Sequence, residues 1–269
     1  LGIPTIYVQH ASVSPAFPPL SFDVALLDGR HAVDAYLAAG DTSTTIFLTG
    51  SPIHDALVQA GARAPSSDRI GICLNELDSV RFVSDLIDRI AQTFGRDRID
   101  VRLHPRDQRP WRQWLADRGV PEVAITSAAN ESLTDFLTRV GVVVAGHTNV
   151  HLEAAVFGRP SIMVSEHEGK EDPYRFEANG LVNAVRRDDV TRALRAALES
   201  RLELHRNAAL KLYSATAGTS WEGRGTELAC AAVTSFLQGH SVDEAFPVAR
   251  RIGRAKVFAP SQSSLGIRT

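Results

Sequence analysis

Two short polar clusters carry the side chains best suited to chemistry: His104-Pro105-Arg106, and His147-Thr148-Asn149 followed four residues later by Glu153. An arginine offers phosphate a planar fork of donors and an imidazole adds one more, so His104 with Arg106 suits an anion. His147, Thr148 and Asn149 would stand at the start of a helix, where free N–H groups also favour an anion. Glu153, one turn on, can accept two hydroxyls of a ribose, as acids do in dinucleotide-binding folds. Each feature has a plainer reading too. His104 can bond a backbone carbonyl while Arg106 is solvated, residues 147–149 can be a satisfied turn and cap, and Glu153 can simply favour the helix dipole.

Other candidates follow the same logic. His10 closes the β-rich run from Pro4, and Ser51 follows Thr49-Gly50 at the end of another. The charged loop 168–177 holds Tyr174 and Phe176, which can face a ring, and Arg175 and Lys170, which can meet a charge. It reads equally as a lid or as a solvated loop. His147-x-x-x-His151 would line two imidazoles along one helical face, yet the glutamate of the zinc-protease motif is missing, so no metal is expected. Glycine-rich loops of phosphate-loop kinases and of standard NAD binders are absent, as is a Gly-x-Ser-x-Gly elbow.

Such residues converge only if each ends a strand of an open parallel sheet, whose carboxyl ends face one crevice. The chain has that pattern. Pro4 to Gln9, Asp23 to Leu27 and Thr45 to Thr49 read as strands, with helices at Arg30 to Ala39 and Ile53 to Ala60. A polar break at 62–68, holding a proline and two serines, reads as a linker. Alternation restarts with strands at Ile70, Ile99, Val123, Val142, Ser161 and Leu181, interleaved with helical stretches. Thr148-Asn149 and Asp188 or Asp189 are placed to cap two of these helices. The pattern predicts an α/β protein of two consecutive lobes. The N-terminal lobe, 1–61, is incomplete; the second, 69–240, ends in a helical C-terminal extension; and 241–269 is a tail.

The 269 residues, 44% hydrophobic, can bury a sizeable core. With 29 basic and 31 acidic residues, nothing suggests a nucleic-acid-binding face. Cys73 and Cys230, far apart and without CxxC spacing, indicate neither a disulfide scaffold nor a zinc site, and point to a reducing, cytoplasmic setting. No membrane span or signal peptide is read. The start, Leu-Gly-Ile-Pro, enters a strand at once, which suggests that an amino-terminal part is missing.

Taken together, several motifs resemble the GT-B glycosyltransferase superfamily over roughly residues 3–185: Pro4-Thr-Ile-Tyr-Val-Gln-His10, Thr49-Gly-Ser-Pro-Ile-His-Asp-Ala-Leu57, Leu103-His-Pro-Arg106, Glu131-Ser-Leu-Thr-Asp135 and the stretch Val143 to Pro160. The His-Pro pair and the Gln-His turn are similar to the capsule and teichoic-acid branch, with its CDP-glycerol glycerophosphotransferases, Kdo transferases and GT-B sialyl- and polysialyltransferases.

The resemblance implies two facing Rossmann-like lobes and a nucleotide-activated donor, CMP or CDP type favoured and UDP possible, held mainly by the C-terminal lobe. His104, Arg106, His147, Thr148, Asn149 and Ser51 would meet donor phosphate, Glu153, Glu131 and Ser132 the ribose and nucleotide, and Tyr174 and Arg175 would form a lid. His10 would be the catalytic base toward a glycan or polyol-phosphate hydroxyl in bacterial surface polysaccharide synthesis. No cofactor or metal is implied; the setting would be the cytoplasm at the inner face of the membrane, with peripheral association through missing regions. Two positions depart from the pattern. Ala11 stands where a glycine follows the histidine, and Leu27-Asp28-Gly29 has one acid where sialyltransferases carry a pair, which argues against a sialic-acid donor. Two alternatives are a UDP-N-acetylglucosamine 2-epimerase-like enzyme and a non-catalytic nucleotide-sugar-binding lobe.

Overall fold

A computed structural model describes residues 3–61, 67–121, 124–166, 171–200, 202, 206–239 and 242–265. The chain divides into two compact units, one of residues 1–59 with 207–269 and one of residues 60–206.

The second unit is a parallel six-stranded sheet. Its strands are β4 (Ile70–Cys73), β5 (Ile99–Leu103), β6 (Ile125–Ser127), β7 (Val142–Ala145), β8 (Ser161–Val164) and β9 (Asn183–Val185), in the order β6-β5-β4-β7-β8-β9. Every residue of β4, β7 and β8 is buried. This is why these runs are continuously apolar rather than alternating: helices cover a parallel sheet on both faces. The first strand of the unit lies in the middle, and the order reverses between β4 and β7, which pair from Ile70↔Val142 to Cys73↔Ala145. That is the strand order of dinucleotide-binding sheets, and the reversal opens a crevice at the strands' carboxyl ends.

Helix α3 (Val80–Phe94) buries Phe82, Val83, Leu86, Ile87 and Ile90, one stripe at helical spacing, and starts where the Ser79 hydroxyl accepts the Phe82 N–H at 3.1 Å. The unit also contains α4 (Trp111–Ala116), α5 (Leu133–Arg139), α6 (Val150–Phe157) and α7 (Val190–Leu198). Gly158 ends α6 in the left-handed conformation, φ 98°, and Arg159-Pro160 turns the chain into β8. Asn149 and Asp189 hold the N-cap positions of α6 and α7, but neither side chain makes the expected capping bond.

The first unit contains β1 (Ile6–Val8), β2 (Val24–Leu27), α1 (Arg30–Ala39), β3 (Thr45–Leu48), a 3-10 turn at Pro52–His54 and all but the last two residues of α2 (Asp55–Gly61). After residue 206 the chain returns to it with α8 (Arg206–Tyr213), α9 (Gly225–Gln238), β10 (Val248–Ile252) and β11 (Ala255–Ala259). The sheet order is β1-β2-β3-β11-β10, parallel except for β10.

This return corrects the expected division. The helices assigned to the second lobe belong to the first unit, and the expected tail supplies two of its strands. Ala255, Val257 and Ala259 enter the core beside α1, while Phe258 stacks on Phe47, so β11 covers what would otherwise be an open edge of β3. The Asp55 carboxylate ties the return in place by accepting the N–H groups of Gly225 (2.7 Å) and Thr226 (2.8 Å) at the start of α9. Most of the expected linker, residues 62–66, lies outside the described residues. Among the described residues no helix is long and apolar enough to cross a membrane.

Candidate functional site

At the sheet reversal of the second unit lies a cavity of about 550 Å³, lined by the loop after β4, the ends of β5, the loop after β7 and the first turn of α6. Both loops at the reversal are rigidly built. In the first, the Arg109 guanidinium donates to the carbonyls of Asn75 (3.2 Å), Glu76 (3.0 Å) and Asp78, and to the Asp107 carboxylate. The Arg109 guanidinium holds the Asp107 carboxyl down at about 2. Asp78 accepts the Asn75 N–H at 2.7 Å; burial pushes its carboxyl up to about 6. The Asn75 amide in turn donates to the His147 carbonyl at 3.0 Å, joining the two loops.

In the second loop, Gly146 leaves room for Asp78, whose Oδ1 would stand 3.1 Å from a Cβ. His151, fully buried, bonds the Gly146 carbonyl through Nε2 at 2.7 Å and the Ser161 hydroxyl through Nδ1 at 2.5 Å. A carbonyl only accepts, so Nε2 carries the proton and Nδ1 accepts from Ser161. Burial lowers the imidazole pKa to about 4, which keeps it neutral. His151 thus faces the interior and fixes the turn; it does not share a surface with His147. His151→Ala is expected to cost about 3–5 kcal/mol, since it opens a cavity and leaves two buried polar partners unmatched. A urea melt checks this, and a change under 1 kcal/mol would remove His151 as the support of the turn.

The polar groups facing the cavity come from both sides of the reversal. The Arg106 N–H donates to Nδ1 of His104 at 3.3 Å, so a neutral His104 ring carries its proton on Nε2, as a donor. Glu76 pairs with the Arg106 guanidinium at 2.9 Å. Glu153 lies on the first turn of α6; burial raises its carboxyl pKa, against the lowering effect of Arg102. Among the described residues it has neither a hydrogen bond nor an ion pair. Both ring nitrogens of His147 are buried without a hydrogen-bond partner among the described residues, an uncommon state for an imidazole.

Of the residues picked from sequence, His104, Arg106, His147, Thr148, Asn149, Glu153 and Tyr174 line this one cavity. Glu131 and Ser132 do not. Glu131 is paired with Arg139, and Ser132 caps α5 by accepting the Asp135 N–H at 3.1 Å. Arg175, at φ 56°, turns the chain beside Tyr174, and Tyr174 rests against the buried Phe176 ring at 5.3 Å. Lys170 lies outside the described residues. Glu76 and Arg102 carry no signal in the sequence: their charges are ordinary there, and only strand order brings them to the cavity.

His10 and Ser51 belong to the first unit. The exposed His10 follows β1 in a turn fixed by Gln9, whose side chain accepts the Asp28 N–H (2.9 Å) and donates to the Ala11 carbonyl (2.9 Å). Asp28, 5% exposed, has its carboxyl pushed by burial up to about 8, against a hydrogen bond from Ser51.

No protein-family model and no curated protein matches the sequence. Solved structures do match. The UDP-GlcNAc 2-epimerase of Methanocaldococcus jannaschii, in complex with UDP-GlcNAc and UDP, aligns at TM-score 0.56 and 15% identity over 79% of this chain and 61% of that one. A putative UDP-N-acetylglucosamine 2-epimerase from Listeria monocytogenes aligns at 0.52 and 15% over 82% and 61%. The wall teichoic acid polymerase TagF, soaked with CDPG, aligns at 0.55 and 11% over 89% and 67%. At such identities the likeness is one of fold: this chain shares the GT-B-like, Rossmann-like architecture of these enzymes, and spans 61% of the length of the two epimerases.

Proposed function

We propose that the chain belongs to a GT-B transferase that moves a glycosyl or glycerophosphoryl group from a cytidine- or uridine-activated donor to a hydroxyl acceptor in bacterial surface polysaccharide synthesis. The observation that carries the reading is Glu153, a half-buried carboxylate with no hydrogen bond or ion pair among the described residues, set in a cavity at the sheet reversal together with His104 and Arg106. A nucleotide answers each of these groups. Ribose hydroxyls donate to Glu153, phosphate oxygens accept from His104 Nε2–H and Arg106, and the start of α6 at Thr148 and Asn149 favours the same charge. Tyr174 covers the ligand.

In the transfer the acceptor oxygen attacks the anomeric carbon, or the phosphorus of a glycerophosphoryl donor. The bond to the leaving phosphate oxygen breaks, and the acceptor proton passes to the His10 imidazole. Charge growing on the leaving phosphate is met by His104, Arg106 and the N–H groups opening α6.

UDP or CDP at about 100 times its Kd is expected to stabilise the protein by roughly 2.7 kcal/mol, a rise in Tm of several degrees. No rise with any nucleotide rejects the reading. The likeness to two epimerases favours a second one, in which the same cavity holds UDP-N-acetylglucosamine for inversion at carbon 2. Incubation with that nucleotide sugar alone decides between them, since an epimerase needs no acceptor. Affinity without transfer or epimerisation would mark a non-catalytic binding lobe.

A further inference from the structure

The carboxylate of Glu76 stands where an anionic ligand's charge would. It pairs with the Arg106 guanidinium at 2.9 Å and lies 3.9 Å from Nδ1 of His104. Among the described residues these are the two side chains that offer donors on that wall of the cavity. The pair is partly exposed, 75% for the Arg106 side chain and 36% for Glu76, so a ligand can displace it at small cost. The backbone that presents Glu76 is tied by hydrogen bonds. Arg109 holds its carbonyl at 3.0 Å and the Asn75 carbonyl at 3.2 Å, and Asp78 holds the Asn75 N–H at 2.7 Å.

The charge of the cavity gives Glu76 its leverage. Among the described residues the arginines lining it are Arg102 and Arg106, and the carboxylates Glu76 and Glu153, so their formal charges cancel. Arg102 already donates to the Glu131 carbonyl at 3.1 Å and lies over the Phe136 ring, which leaves Arg106, among the described residues, as the cation a ligand can recruit. A site meant to grip phosphate as tightly as possible would leave Arg106 unopposed.

We propose that Glu76 is a specificity-determining residue of the phosphate subsite, competing for Arg106 beside His104 so that the cavity discriminates against each further negative charge on the ligand. The inference rests on the reading of the cavity as a nucleotide-donor site. Its use there is directional: when the donor's phosphate ester is cleaved, the leaving nucleotide gains a negative charge next to Glu76. The intact donor is therefore retained better than the product, and the product leaves faster.

The test is isothermal titration of uridine, UMP, UDP and UDP-N-acetylglucosamine, and of cytidine, CMP and CDP, against the wild-type chain and Glu76→Gln. The variant keeps the side chain's shape at a partly exposed position. Its gain in affinity should be near onefold for the nucleosides, about threefold for the monophosphates and about tenfold for the diphosphates, with UDP-N-acetylglucosamine below UDP. The gains should shrink as salt is raised. Nucleotides binding the wild type with a flat ratio across charge, or all binding the variant more weakly, overturn the role of Glu76 while leaving the nucleotide site standing. If neither protein binds any of the seven ligands, the site reading and this inference fall together.

Discussion

Replacing Glu153 by alanine should weaken nucleoside diphosphate binding by about 100-fold or more while leaving the fold at least as stable. Two ribose hydroxyls donating to a half-buried carboxylate are charge-assisted bonds worth about 1.5–3 kcal/mol each, and 2.7 kcal/mol is already a factor of about 100. The stability half of the expectation comes from the raised pKa. A carboxyl raised in the folded state binds more protons there than in the unfolded chain. Its contribution is fully present below the unfolded value of about 4.5 and is lost as pH rises through the folded one. Above the elevated pKa the ligand-free protein therefore carries a desolvated charge that Glu153→Gln removes. Binding has the opposite slope: hydroxyls donate to the ionised form, so nucleotide affinity should rise with pH across the elevated pKa and level off above it. Titration calorimetry at several pH values, with urea melts of the wild type and both variants, reads the two halves separately. A variant that loses affinity and stability together would make Glu153 a structural residue of α6.

How far the sequence led, and where it stopped, can be traced to range. The apolar runs at Val142 and Ser161 with the polar turn between them announced a βαβ unit from local pattern alone, and the sheet contains it as β7, α6 and β8. Likewise, strand ends could be found without knowing strand order, which is why seven residues picked by type and position line one cavity. Glu76 and Arg102 needed the order itself, because only the pairing of β4 with β5 and β7 brings their loops together. The return of β11 to β3 is longer range still: Lys256 pairs with Thr45, and nothing local in a segment flanked by Pro247 and Pro260 names a partner so far away. His151 is different, because its signal was present. The helix Val150–Phe157 is apolar nearly all round, and a histidine on such a helix is buried and must be hydrogen-bonded. Those apolar surroundings outweigh the four-residue spacing to His147.

Asp28 offers the second large effect, and it ties the stability of the first unit to the turn that carries His10. Burial lifts its carboxyl pKa from 3.8 to about 8, so between those values the folded chain holds a proton that the unfolded chain has released. By linkage, stability is fully present below about pH 4 and declines as pH rises, with the whole loss, on the order of several kcal/mol, complete only above about pH 8. Against a typical total of about 5–15 kcal/mol that is a large share. Asp28→Asn, which keeps the shape without the charge, should flatten this decline. Hydrogen exchange should detect the change at β2 and β3 of the first unit more strongly than at β4 and β7 of the second. The same ionisation bears on the proposed base. The Asp28 N–H holds Gln9, and Gln9 holds the turn around His10 through the Ala11 carbonyl. Charging Asp28 should loosen that turn, so transfer activity should fall on the alkaline side, near pH 8, and Asp28→Asn should extend it upward. An unchanged alkaline limb in the variant, with exchange at β2 equally unchanged, would show that Asp28 is charged in the folded protein throughout and that the His10 turn does not depend on its protonation.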